Sequence, residues 1–73
     1  MTEYELDCKD LNCPMPIVNI SKRMRQMASG DVLVVEATDP AFRADLHAWA
    51  KRFGHVIQSF EEGDCLRAKV VKA

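Results

Sequence analysis

Three cysteines, at positions 8, 13 and 65, and two histidines, at 47 and 55, are the nucleophiles, proton carriers and soft metal ligands of this chain. One of them has a distinctive setting. Cys13 opens the run Cys13-Pro14-Met15-Pro16, between a strand-like segment and a helix-like one. A helix N-terminus carries partial positive charge and lowers the pKa of a thiol placed there, so the position suits a sulfur nucleophile. With Cys13 as the N-cap, Pro14 takes the first helical position, where its fixed φ and missing N–H cost nothing. Pro16 removes a further amide, which leaves Met15 with the N–H that a capping side chain would use. The expectation is a thiolate favoured moderately by the dipole and one amide, below the ~8.5 of a free thiol. Pro16 also disfavours helical geometry at Met15, so a helix that starts one or two residues later stays open. Cys13 would then sit on the loop just ahead of it. The competing reading is a small buried apolar residue beside good helix punctuation. A loop position at the mouth of a helix argues against that, because loops carry function.

The other candidates carry weaker signals. Cys8 lies five residues before Cys13 and is a candidate second thiol, to resolve a disulfide or accept sulfur; the alternative is packing at the end of a strand. Cys65 starts the last strand and reads as structural. No Cys-x-x-Cys pair exists, so no zinc site is expected, and no metal or cofactor is assigned. His47 and His55 read as surface or cap residues. Lys22, Arg23 and Arg25, with Lys51 and Arg52, form a candidate cationic docking face beside the motif; a solvated helix face is the commoner reason for such charges. Asp45 falls on the polar side of a helix and is assigned no chemistry.

The elements that must position Cys13 follow from periodicity. Glu3 to Asp7 alternates polar and apolar, a short strand. Ile17, Ile20, Met24 and Met27 recur at helical spacing, and Ser29-Gly30 ends that helix. Val32 to Thr38 is β-branched and apolar, a buried strand. Asp39 and Pro40 read as the N-cap and first position of a second helix, with Phe42, Leu46, Trp49, Ala50 and Phe53 as its core stripe and Gly54 as its C-cap. His55 to Glu61 and Cys65 to Lys72 read as an antiparallel hairpin across the turn Glu62-Gly63-Asp64. The order is βαβαββ. Right-handed crossovers place both helices on one face of a four-stranded mixed sheet, an α/β (α+β) two-layer sandwich. The other face is open, with Val32 and Val34 on it.

Bulk properties narrow the function classes. The 73 residues make one domain, spanning 1-73, with a small core and no room for a deep substrate pocket. A net charge of -1 argues against nucleic acid as the main partner. The longest apolar run, residues 32–35, is far too short to span a bilayer. An acidic start without an apolar stretch shows no signal peptide, and an odd cysteine count suits free thiols, so a cytoplasmic location is expected.

Leu6-Asp7, Leu11, Cys13-Pro14-Met15-Pro16, Gly30-Asp31, Asp39-Pro40, Asp45, Trp49 and Gly54-His55 together resemble the TusA/SirA-like sulfur carriers over nearly the whole chain. The resemblance implies a small cytosolic carrier whose motif cysteine, Cys13, takes sulfane sulfur as a persulfide. It implies a cysteine desulfurase or rhodanese as donor and a DsrE-like or other relay protein as acceptor. Uses in such a family include tRNA thiolation, molybdenum-cofactor supply and sulfur oxidation, where thiosulfonate is a second cargo. The fold is similar to the C-terminal domain of a translation initiation factor.

One departure stands out. Where the family often has Gly-Leu-x-Cys, this chain reads Asp10-Leu11-Asn12-Cys13, which brings a carboxylate towards the thiol. The leading reading is a carrier, since a persulfide needs an accessible sulfur and a docking surface but no general base, and none adjoins Cys13. The alternatives are a thiol-containing protein-docking or regulatory module without catalysis, and an RNA-binding domain.

Overall fold

The computed structural model describes residues 2–73. Its elements are β1 (Glu3–Cys8), α1 (Met15–Met24), β2 (Val32–Ala37), α2 (Phe42–Phe53), β3 (Val56–Glu62) and β4 (Leu66–Val71). The order is the expected βαβαββ. The strands form one mixed sheet in the order β1-β2-β4-β3. β1 and β2 are parallel, with Leu6 opposite Val35 and Cys8 opposite Ala37. β4 runs antiparallel to both β2 and β3.

Alternation along the strands decides what each face holds. Leu33, Val35 and Ala37 of β2 and Ala68 and Val70 of β4 share one face with Cys8, and all are buried. Ile20 and Met24 of α1 and Phe42 and Leu46 of α2 join the same core cluster, which puts both helices on that face. Phe42, Ile20, Leu33 and Leu46 are nearly sealed from solvent, each contributing about 1.5–3 kcal/mol. Val32 and Val34 point to the other face, as expected, yet are only 6% and 2% exposed. Glu5, Asp7, Glu36 and Arg67 close around Val34, so the helix-free face is charged rather than bare.

The element ends differ from the sequence reading in instructive ways. α1 stops at Met24, and Met27 is buried from the turn that follows. α2 begins at Phe42 with Ala41 at its cap, not with Asp39 as N-cap and Pro40 first. Asp39 instead closes a turn: its Oδ1 accepts from Ala41 N–H at 3.2 Å and its carbonyl from Phe42 N–H at 3.0 Å. Phe53, read as core, is 56% exposed because it lies in the last turn of α2. Gly54 ends α2 at φ 78°, a left-handed position where glycine carries no Cβ penalty, and its N–H bonds Ala50 O. In β3 the register slips between Ile57 and Ser59. Ile57 and Phe60, an odd number of residues apart, therefore both pack against the core. Among the described residues no helix is long and apolar enough to cross a membrane.

Candidate functional site

β1 and β2 are parallel, so their C-terminal ends lie at one edge of the sheet and both strand-to-helix connections emerge there. The first connection, residues 9–14, carries Cys13; the second, residues 38–41, carries Asp39. Leu11 N–H bonds Cys8 O at 3.3 Å and Met15 N–H bonds Asn12 O at 2.8 Å, which folds the first connection into successive turns. Asp10 sits at φ 66°. That left-handed geometry favours glycine, and aspartate is among the few other residues that tolerate it. Asp10 N–H donates to Thr38 Oγ1 at 2.9 Å, stitching the two connections together.

Cys13 is exposed and lies one residue before the cap of α1, which is Pro14. It is therefore not the N-cap; the later helix start, left open by the sequence, is the one adopted. The Cys13-Pro14 peptide is cis. Met15 is exposed, Pro16 is buried in the first turn, and the Met15 amide goes to the Asn12 carbonyl rather than to sulfur. The two prolines have no amide to offer.

The group that does meet the sulfur is a carboxylate. Cys13 Sγ donates to Asp45 Oδ2 at 2.9 Å, across 32 residues of sequence. Cys13 N–H donates to Asp39 Oδ2 at 2.9 Å. These contacts reverse the expected electrostatics: the hydrogen bond to Asp45 comes first, then loss of solvent, then the charges of Asp45 and Asp39, and all push the thiol pKa up. A favoured thiolate is thus overturned, because the carboxylates of Asp45 and Asp39 outweigh the partial charge of a helix end where two prolines lack amides and the Met15 amide is bonded to Asn12. The carboxylates responsible are Asp45 and Asp39, not Asp10. Asp45 was assigned no chemistry from sequence. The available signal was topological, since the starts of two helices that follow parallel strands must meet at one edge.

The remaining candidates lie elsewhere. Cys8 is fully buried in the core, with its pKa raised by burial and by Asp7. Cys65 is half-buried and donates to Glu36 Oε2 at 3.6 Å; burial first, then Glu36, raise its pKa. Lys22 and Arg23 fall in the last turn of α1 and Arg25 at its C-cap. Lys22 is about 10 Å along the axis from Met15, so these cations are not beside the motif. Arg23 is occupied: its guanidinium lies 5.1 Å from the Tyr4 ring centre and bonds Gln26. Lys51 and Arg52 occupy the last turn of α2. The thiol and its two carboxylates thus lie at the helix starts, and Lys22, Arg25, Lys51 and Arg52 at the helix ends. A groove of about 330 Å³ lined by Met24, Arg25, Trp49, Phe53, His55 and Lys72 lies at the cationic end and includes no residue of the thiol loop. For metals, Cys13, Asp39 and Asp45 bring three ligand atoms within 4.8 Å of one another. Structural zinc sites use four ligands, almost always cysteine and histidine.

The sequence has relatives. The family model described as sulfurtransferase TusA matches residues 4–72. The chain belongs to the TusA family. It is 46% identical over 68 residues to the candidate sulfur carrier YrkI of Bacillus subtilis, covering 92% of this chain and 91% of YrkI. It is 47% identical over 62 residues to the sulfur carrier protein TusA of Allochromatium vinosum, covering 84% of this chain and 82% of that one. A second Bacillus subtilis candidate carrier, YrkF, is 52% identical over 63 residues, but this chain spans only 34% of it. A TusA-type domain therefore occurs both nearly alone and as part of a longer protein.

Proposed function

We propose that Cys13 is the sulfur-bearing residue of this TusA-family sulfur carrier, taking sulfane sulfur as a persulfide and passing it to a partner protein. The observation that carries the assignment is exposure: Cys13 is the exposed cysteine, whereas Cys8 is sealed in the core and Cys65 is half-buried. A group passed between proteins must sit where two active sites can reach it. The thiol stands on a loop held by Leu11, Asp10 and Asp39, so it is presented in a fixed place without a surrounding pocket. Pro14, Met15 and Pro16 shape the approach, with Met15 44% exposed beside the sulfur-bearing loop.

Family membership implies sulfur-relay partners in general. The finer reading is a cysteine desulfurase or rhodanese as donor and a DsrE-like or other relay protein as acceptor. Lys22 and Arg25, both exposed, are the cations best placed for docking on α1. Loading is tested by incubation with a desulfurase and cysteine, or with a rhodanese and thiosulfate, followed by intact mass under non-reducing conditions. The expected result is a reducible adduct of one sulfur atom that is absent from Cys13→Ala. An equal adduct on Cys13→Ala, or none with several competent donors, overturns the assignment.

A further inference from the structure

Two carboxylates lie at the thiol, and one of them accepts its hydrogen bond. Asp45 Oδ2 accepts from Cys13 Sγ at 2.9 Å. Asp39 holds the Cys13 amide with Oδ2 and the Ala41 amide with Oδ1. Among the described residues neither carboxylate forms an ion pair; the salt bridges involve Asp7, Glu36 and Glu62 instead. Both are half-buried while the sulfur is exposed. Any sulfur donor must bring its transferring atom to Sγ, and so within a few ångströms of two carboxylates that no cationic side chain pairs.

The species that carry sulfane sulfur differ in charge. Inorganic thiosulfate and polysulfides are anions. A protein persulfide is more acidic than a thiol and is readily an anion too, unless its outer sulfur is protonated or covered by a neighbouring cation. We propose that Asp45, with Asp39, is the specificity-determining group of this site: it excludes bare anionic sulfur donors and admits a persulfide that is protonated or escorted by a cationic side chain of the donor protein. This rests on Cys13 as the sulfur acceptor and adds the class of donor.

The transfer balances without an added oxidant or reductant. The Cys13 sulfur bonds the donor's outer sulfur, and the donor's S–S bond breaks. Its electron pair leaves on the donor's inner sulfur, which takes up the proton that Cys13 gives up; the products are a donor thiol and a Cys13 persulfide. A donor cation placed against Asp45 would draw the carboxylate from the thiol, freeing the sulfur as it arrives. A free anion brings no such group and meets like charge, which disfavours its approach.

The test uses three methanethiosulfonates with one leaving group and differing side-arm charge: a trimethylammonium cation, a neutral methyl and a sulfonate anion. Rates at Cys13 are read by peptide mapping; the cation-to-anion rate ratio, divided by that of a short cysteine peptide to remove the thiolate's own preference for cations, also cancels any change in thiolate fraction. The expected ratio in the unmodified protein at low salt is about tenfold or more, from unit charges a few ångströms apart at a protein surface. It should shrink towards unity in about 1 M salt, where the Debye length is about 3 Å. Asp45→Asn should lower the ratio several-fold, and Asp45→Glu should restore it. A ratio near unity at low salt, or one that Asp45→Asn leaves unchanged, overturns the proposal. The salt series needs no variant, so a misfolded mutant does not spoil the test. Direct loading is compared in parallel. If free thiosulfate or polysulfide places sulfur on Cys13 as fast as a rhodanese persulfide does, charge selection fails while the carrier assignment stands. If no donor loads Cys13 although the charge ratio holds, the carrier assignment fails instead.

Discussion

The backbone N–H of Cys13 donates to Asp39 Oδ2 at 2.9 Å, joining the loop before α1 to the turn before α2. Asp39 acts twice, since its other oxygen holds the Ala41 amide at 3.2 Å. Removing both acceptors in Asp39→Ala leaves two backbone amides to water. The expected cost is about 1 kcal/mol, read as a fall in Tm of about 4–8 °C for a domain of this size. Asp39→Asn keeps one of the two acceptor oxygens and should recover about half of that loss. An Asn variant as unstable as the Ala variant would show that charge, not the hydrogen bond, supports the loop.

The thiol of Cys13 should titrate above that of a free cysteine peptide. The hydrogen bond to Asp45 stabilises the protonated form, and the charges of Asp45 and Asp39 oppose the thiolate. Alkylation by iodoacetamide, followed against pH with a short reference peptide alongside, checks this. The rate should rise with a midpoint above the peptide's, and Asp45→Asn should move the midpoint down. At neutral pH the variant should react faster than the parent protein. A midpoint below the peptide's would restore the helix-dipole view of this thiol.

Most of the scaffold was legible because its signals are local. Ile17, Ile20 and Met24 mark α1 by spacing alone, Gly54 caps α2 where its φ of 78° requires it, and the valine-rich run at residues 32–35 reads as a buried strand. β3 was harder, because the slip between Ile57 and Ser59 breaks the period of two on which strand reading depends. Phe53 continues the apolar stripe of α2 yet is largely exposed, since periodicity marks a face but not how far the neighbouring layer extends. The thiol's setting was least legible. Helix dipole and amide count are properties of residues 13–16, whereas the group that governs the sulfur lies 32 positions away. Only the parallel pairing of β1 with β2 brings the two helix starts together.

Lys72 Nζ donates to the carbonyl oxygens of Met24 at 2.7 Å and Met27 at 2.5 Å. It thus serves the end of α1, where carbonyls lack helical partners and negative partial charge collects. Lys72→Met keeps the apolar stem and deletes the donors, so packing is preserved while the carbonyls lose their partner. The expected loss is about 1–2 kcal/mol. It should appear in urea unfolding as a lower midpoint with an unchanged slope. A midpoint equal to the parent's would show that water replaces the ammonium without cost.

His55 should make stability depend on pH near neutrality. Its ring lies 4.8 Å from that of Trp49, and Nδ1 accepts from Ala73 N–H at 3.1 Å, which suits a neutral imidazole. Burial, and then the positive charge of Lys72, lower its pKa from the ordinary 6.5. A histidine of lowered pKa takes its proton more readily in the unfolded chain, so acidification favours unfolding. The stabilising contribution is complete above pH 6.5, declines as the pH falls from there to the folded-state pKa, and then levels off. Urea midpoints measured from about pH 8 down to about pH 5 should trace that decline. His55→Gln should flatten the curve in this interval. Asp31 does not interfere: its hydrogen bonds from Ala28 and Thr2 amides hold its pKa below the ordinary 3.8, so its contribution is lost only at lower pH. A curve equally steep in His55→Gln would assign the dependence to another group.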